Sequence, residues 1–469
     1  ILYFAQCAAY YAYLGIGGIQ TTNVNTFDPN YPALSTFLTY TSPDAALTFA
    51  PMAIGADGSV YMDGNVVIQR LDANLNPVWT FDTQDSAHGQ LGFSSKEPVI
   101  GNDDTIYVAN SRYLFALTNA PGLQTNLTVT NHDYFDYDSD TWPPPLYTTT
   151  YSLTNVGIKW IFSYLDQWVS DTNLLCEIVD FNILGYSQPV LGEDGTIYMD
   201  DSAGQILAIN GTNGVLKWAT LGPHVRDNLG NLYYIDPNEG FPEAGSRNYS
   251  TGPVIGGDGT IYFGRNTAFY SVDPNAPTTN GLMGFKGCYT NVCKRFLGNP
   301  IVGGDGTIYA EATGLTGFDD PLYIPYVEMG LNTNSLFAFN PDLTIKWVTD
   351  LGTNRDDHDA PDAFTWGKRG SLALASDGEL YLADWNGMFY SFCSANGTTN
   401  YVYNTTNATG EDGVVLNSPL IAPDGTVYVQ GTSWEHYQSY IFSFKGPSPV
   451  ACAPWPEDRR NARRSGSTA

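Results

Sequence analysis

One short pattern recurs seven times along the chain, and it restricts the fold more than any other feature. The copies are PMAIGADGSVY (51–61), PVIGNDDTIY (98–107), PVLGEDGTIY (189–198), PVIGGDGTIY (253–262), PIVGGDGTIY (300–309), SLALASDGELY (371–381) and PLIAPDGTVY (419–428). Each reads as a short apolar strand, a two-residue turn and a second strand. Asp-Gly suits such a turn, because a type I′ hairpin needs positive φ at both central positions. The second copy has Asp103-Asp104 instead, which predicts a different turn type there.

A further apolar strand follows the anchor, often closed by tryptophan: LDANLNPVW (71–79), LAINGTNGVLKW (207–218) and LFAFNPDLTIKW (336–347), with LTNVGIKW (153–160) matching the second half. One such unit cannot bury both of its faces alone, so the copies must stack. The anchor aspartates fall at 57, 103, 194, 258, 305, 377 and 424. Intervals of 46, 47 and 47 residues fit a four-stranded blade, while 91, 64 and 72 imply insertions. The expectation is an all-β, seven-bladed β-propeller of four-stranded antiparallel blades spanning 51–446, with insertions near 119–152, 223–250 and 312–333. The longest interval leaves room for a degenerate eighth blade. An insertion is preferred, because 119–152 holds TWPPPL and DYFDYDSD but no second anchor. No long helical periodicity separates the strands, which excludes an alternating βαβ fold.

The pattern P-V-I-G-x-D-G-T-I-Y, then L-x-A-Φ-N and a closing Trp, resembles the repeat of pyrroloquinoline-quinone (PQQ) enzymes and the wider quinoprotein-like propeller superfamily. The Gly-His and Trp-Asp signatures of WD40 repeats are missing. The resemblance implies the architecture far more firmly than an activity, since one fold hosts many functions. Alcohol dehydrogenases of that family resemble eight-bladed discs with a vicinal disulfide beneath the quinone. This chain has seven anchors and no Cys-Cys pair, and no Trp, Glu, Asn or Asp can be matched to the family's quinone and calcium positions. A non-enzymatic member with no cofactor is expected, a PQQ-dependent periplasmic dehydrogenase being the alternative.

The formal charge is −28, from 48 acidic and 20 basic residues, and such a surface repels phosphate backbones. Nucleic acid is therefore not an expected partner. The six cysteines and the Asn-x-Ser/Thr sequons point to an oxidising, secreted or cell-surface location. Cys288 and Cys293 are close enough to close a small loop, Cys393 and Cys452 are a second expected pair, and Cys7 and Cys176 remain. The glycan acceptors are Asn126, Asn210, Asn248, Asn396, Asn404 and Asn407, the last three clustered in one polar loop.

Catalytic signatures are sparse. The histidines (88, 132, 224, 358, 436) lack metal spacing, and no G-x-S-x-G elbow occurs. His358 lies among Asp356, Asp357, Asp359 and Asp362, which reads more readily as a solvated acidic loop than as a metal site. Asp136, Asp138 and Asp140 alternate like the start of a calcium loop, but Trp142-Pro143-Pro144 follows where an EF-hand has glycine. A structural calcium there is the candidate metal, and an acidic surface loop the plainer reading. Tyr and Trp serve mainly as packing residues of the repeat, which leaves Trp142, Tyr147, Tyr323 and Tyr326 as candidates for a carbohydrate- or protein-binding surface.

The chain ends differ from the repeat. No Lys or Arg precedes Arg70, so a basic signal-peptide n-region is absent and the expectation is that any signal has been removed. No apolar run reaches the length of a membrane span. Residues 1–50 read as an apolar segment and linker, and residues 1–14 carry no charge. Leaving Leu2, Tyr3, Phe4, Tyr10, Tyr11, Tyr13 and Leu14 in water is unfavourable at about 25 cal/mol per Å² of apolar surface. Cover comes from the chain's own propeller or from another copy. The second option makes the chain an extracellular scaffolding glycoprotein that self-assembles into oligomers or filaments. The tail, 447–469, is rich in proline and arginine, with Arg459, Arg460, Arg463 and Arg464.

Overall fold

The structure is a computed structural model that describes residues 2–8, 21–27, 39–41, 53–63, 67–82, 98–110, 113–132, 146–163, 189–200, 205–220, 224–226, 232–234, 251–265, 268–276, 282–290, 294–296, 298–314, 333–353, 371–384, 387–410, 414–433, 439–454 and 456–457. It is almost wholly β. Seven sheets carry the repeat, numbered here as blades 1 to 7 in chain order, and together they form a multi-blade β-propeller.

Blade 5 shows the common plan. Its strands Ile301–Val302, Ile308–Gly314, Thr333–Phe339 and Ile345–Thr353 pair antiparallel in sequence order. One cross-strand row runs Ile301, Tyr309, Ala338, Trp347. The same row is Val99, Tyr107, Ala116, Trp160 in blade 2 and Val190, Tyr198, Ala208, Trp218 in blade 3. A small residue in the third strand lets the Tyr and Trp rings reach each other across it. Their centroids lie 5.8 Å apart in blades 2 and 3 and 5.9 Å apart in blade 5, within the range of favourable aromatic pairs. A bulge follows the row at one recurrent place, after Arg70, Ala116, Ala208, Ala338 and Ser391.

The turn differs from the sequence expectation. Asp57 is not in the positive-φ region, whereas Gly58 has φ 81°. Gly58 N–H donates to Gly55 O at 3.0 Å, and Gly55 N–H donates to Ser59 O at 2.8 Å. These bonds define a three-residue loop, a type I turn closed by a left-handed residue, instead of a two-residue type I′ turn. The Asp103-Asp104 copy is not an exception either. Asp104 takes φ 57° and repeats both bonds, Asp104 N–H to Gly101 O and Gly101 N–H to Thr105 O. Aspartate tolerates the left-handed region better than most side chains, so the geometry survives the loss of glycine.

Apolar clusters bridge consecutive blades. One joins Trp79 and Phe81 of blade 1 (53–82) to Ile106 and Phe115 of blade 2. Others join blade 2 to 3, blades 3, 4 and 5, blade 5 to 6, and blade 6 to 7. The third and fourth strands of blade 2, Tyr113–His132 and Leu146–Ser163, run far beyond the blade as a paired arm. This arm takes up residues 119–132 and 146–152 of the expected insertion. Its inner face lays Tyr151 against Phe81 and Phe115, at centroid distances of 5.8 and 5.7 Å.

Blade 7 departs from the plan. Its strands Leu420–Ile421, Thr426–Ser433 and Ser439–Lys445 pair in order, with Val414–Leu416 beside the far half of Thr426–Ser433. No strand of the described residues pairs with the outer side of Ser439–Lys445. The chain instead returns to blade 6, where Ala375 bridges Val450 and Ala373 bridges Glu457 along the free edge of Ser371–Leu374. Outside the repeat, Leu2–Ala8, Thr21–Phe27 and Thr39–Thr41 form a separate three-stranded antiparallel sheet.

Candidate functional site

The recurrent polar side chains converge on two constellations. The first is the anchor turn. In blade 5, Asp305 Oδ1 accepts from Thr307 N–H at 3.0 Å and Oδ2 from the Thr307 hydroxyl at 2.8 Å. Lys346 Nζ, on the fourth strand, donates to the same carboxylate at 2.9 Å and to Thr307 Oγ1 at 2.8 Å. Lys159 with Asp103, Lys217 with Asp194 and Lys286 with Asp258 repeat the arrangement. Blade 1 substitutes Arg70, which reaches Asp57 at 2.9 Å from the third strand. Burial, the largest single influence, pushes the Asp103 and Asp305 carboxyls up. The bonds from lysine, threonine and the turn backbone together outweigh it and hold both at about 2.

The second constellation is the seam between blades. Tyr107 and Trp160 both donate to the carbonyl of Gly211 in blade 3, at 3.1 and 2.9 Å. Tyr309 and Trp347 converge likewise on Ser394 O in blade 6, at 3.3 and 2.9 Å. Trp79 donates to Asn119 Oδ1 of blade 2 at 2.8 Å, and Tyr262 donates to Pro341 O of blade 5 at 3.2 Å. Burial raises Tyr198, Tyr262 and Tyr309 to about 12, the nearby anchor aspartate adding to it. Glycines face the indoles. A Cβ on Gly214 or Gly397, each at φ 73°, would fall 2.6 Å from Trp160 or 2.4 Å from Trp347.

The lysines before Trp160, Trp218 and Trp347 carry a sequence signal, the recurring Lys-Trp pair, that the anchor pattern alone does not explain. Both constellations act as clasps. The first ties a blade's fourth strand to its first hairpin, and the second ties a blade to its successor.

Other titratable groups lie between blades 5 and 6, where Glu311 and Asp384 are buried near Tyr390. Asp384 Oδ1 accepts from Met388 N–H at 2.8 Å, and burial, then the two carboxylates, pushes the Tyr390 phenol up. Among the described residues no three His, Cys, Asp or Glu side chains cluster as metal ligands.

The sequence-derived candidates are dispersed. Asp136, Asp138 and Asp140 lie outside the described residues, as do the Asp356–Asp362 cluster, Asn248, Cys293, Tyr10, Tyr11, Tyr13 and Leu14. Leu2, Tyr3 and Phe4 lie on the first strand of the separate sheet. Asn126, Asn396 and Asn407 are exposed, while Asn210 and Asn404 are half-buried. The Asn210 amide oxygen accepts the Thr212 N–H at 2.9 Å in the turn that carries Gly211. The expected Cys393–Cys452 disulfide is not formed: both are free thiols, as is Cys288. Cys393 ends a strand whose following turn is held on the blade 5 seam, and Cys452 lies on the segment returning along blade 6, so each backbone is fixed by its own hydrogen bonds.

No family model matches the chain, and no curated protein sequence matches it. Among solved structures, the quinohemoprotein alcohol dehydrogenase from Comamonas testosteroni is 14% identical, with a TM-score of 0.51, covering 89% of this chain and 69% of its own. BamB from Moraxella catarrhalis (10% identity, TM-score 0.38, 84% and 96% coverage) and the C-terminal WD40 domain of Sif2 (9%, 0.45, 92% and 89%) also match. No helix of the described residues is long and apolar enough to cross a membrane. The repeat, the pairing of its sheets and the quinohemoprotein neighbour agree on the fold, and the chain is a multi-blade β-propeller.

Proposed function

We propose that the chain is a secreted, glycosylated scaffolding protein that self-associates through its N-terminal segment into larger, fibrous assemblies. One observation carries this reading: the strands Leu2–Ala8, Thr21–Phe27 and Thr39–Thr41 form a sheet that includes no strand of the repeat. An uncharged leading segment that forms a sheet of its own is suited to engage another copy. A contact between unlike surfaces then propagates unless its rotation closes a ring. The polar residues of the repeat support a scaffold as well, because Asp, Thr, Lys, Tyr and Trp are committed to clasping strands and blades. Secretion and glycosylation rest on the sequons, of which Asn126, Asn396 and Asn407 offer exposed acceptors.

Negative-stain microscopy and light scattering of the full chain, beside a variant lacking residues 1–41, test the proposal. Oligomers or filaments are expected from the full chain and a monomer from the variant. A full chain that stays monomeric and monodisperse with its N-terminus intact defeats it. Dye reduction after reconstitution with PQQ and calcium would reinstate a dehydrogenase.

A further inference from the structure

A second glycine precedes the anchor aspartate in blades 4 and 5 alone, and the C-terminal segment explains it. That position is Ala56, Asn102 and Glu193 in blades 1 to 3, Gly257 and Gly304 in blades 4 and 5, and Ser376 and Pro423 in blades 6 and 7. A Cβ on Gly304 would lie 3.1 Å from the carbonyl oxygen of Cys452, and one on Gly257 would lie 3.2 Å from Pro454 Cγ. Ser376 donates its N–H to Pro449 O at 2.8 Å. Equivalent residues of three consecutive blades therefore hold one segment, at residues 449, 452 and 454 in turn. The first strands of these blades, Val254–Ile255, Ile301–Val302 and Ser371–Leu374, adjoin one another, and the segment crosses the anchor-turn end of that row.

The contact is made by backbone and small side chains. After Val450 bridges Ala375, residues 451–456 loop out opposite Leu374, and Glu457 rejoins the edge at Ala373. Leu374 donates its N–H to Pro456 O at 2.7 Å and accepts from Ala451 N–H at 2.8 Å. Pro449 and Pro456 act only as acceptors, which suits residues without an N–H, and proline favours an extended backbone before docking. Gly257, Gly304 and Cys452 stay exposed, so the segment lies on the surface. A terminal segment held this way opens at less cost than the blades beneath it.

We propose that the anchor-turn end of blades 4 to 6 is a docking groove for extended, proline-bearing peptide, and that residues 449–457 are its built-in occupant, exchangeable for the same peptide in trans. The inference is independent of self-association through the N-terminus. The two second glycines set the path of the segment, and a side chain at either obstructs it. Neither takes positive φ, and blades 2 and 3 carry Asn and Glu at the same position, so a side chain there leaves the turn itself unstrained.

Hydrogen exchange on the full chain, beside the double variant Gly257→Asn with Gly304→Glu, reads occupancy at the Leu374 and Ser376 amides. Exchange there should accelerate about tenfold or more in the double variant, while Glu193→Asn, at the equivalent place in blade 3, changes nothing. A chain ending at Ser448 should bind a labelled peptide of residues 447–459, by fluorescence anisotropy, at least about tenfold more tightly than the full chain does. The built-in copy competes in the full chain at a high local concentration. The glycine substitutions should abolish that binding in the shortened chain. Unchanged exchange in the double variant overturns the inference, as does equal peptide affinity for the two chain lengths or no binding to a folded shortened chain. Acceleration through every blade also overturns it, because the segment is then an integral part of the propeller. Should the shortened chain fail to fold, the full-chain exchange decides alone.

Discussion

An aspartate in the anchor turn has three partners at once, and its ionisation is tied to the fold. Asp103 and Asp305 sit at about 2, below the usual carboxylate value of about 3.9. A carboxyl whose folded pKa is depressed contributes stability above its unfolded value and loses it as pH falls through the folded one. Thermal midpoints should therefore hold level down to about pH 4 and decline between about pH 4 and 2. Asp103→Asn with Asp305→Asn should flatten that decline, as differential scanning calorimetry over a pH series would show. Because these ion pairs are largely exposed, each is worth no more than about 1 kcal/mol at neutral pH. The seam glycines are less forgiving. Gly397→Ala places a methyl group against Trp347 in a left-handed backbone and should cost about 2 kcal/mol or more, read as a lowered urea midpoint. An unchanged midpoint would show that the indole is not held against this turn. The anchor aspartate and closing tryptophan were legible in the sequence, because both recur at fixed positions. The Lys346 to Asp305 clasp was not, since it joins residues 41 apart through a pairing that only the folded sheet creates.

The blade reads out well at the level of elements, and its turn less so. Strand order followed from the apolar runs, whereas turn type depends on a difference of one residue in loop length. Asp-Gly satisfies either a type I′ turn or a type I turn closed by glycine, and the strands select the second. The blade 2 arm was visible only as excess length with no second anchor. Its alternation of outward Thr148, Thr150 and Ser152 with inward Thr149, Tyr151 and Leu153 shows why it remains a strand beyond the blade. Tyr151→Ala should cost about 3 kcal/mol, because the ring is buried between Phe81 and Phe115. Exchange should then accelerate along the arm while blades 5 and 6 keep their protection. Uniform acceleration through every blade would instead mean that the arm and the propeller unfold together.

The molecule as a whole is a chain of nearest-neighbour interfaces, which makes its stability approximately a sum over blades and seams. Trp347→Phe removes one donor from the blade 5 to 6 seam and leaves Ser394 O with Tyr309 alone. A loss of about 1 kcal/mol is expected, with a similar loss from Trp160→Phe and near-additivity in the double variant, measured by urea unfolding. Strong coupling between them would argue against independent seams. The architecture was legible because a seven-fold repeat leaves few folds open, whereas no site was legible because the recurrent polar residues serve the structure. The return of residues 449–457 to blade 6 has a consequence for synthesis. Leu374 N–H donates to Pro456 O, Ala451 N–H donates to Leu374 O, and Ser376 N–H donates to Pro449 O. The free edge of the sixth blade therefore cannot be satisfied until residues 449–457 have left the ribosome. Earlier blades can mature in order of emergence, but the sixth blade must wait for the segment that follows the seventh before its edge is sealed.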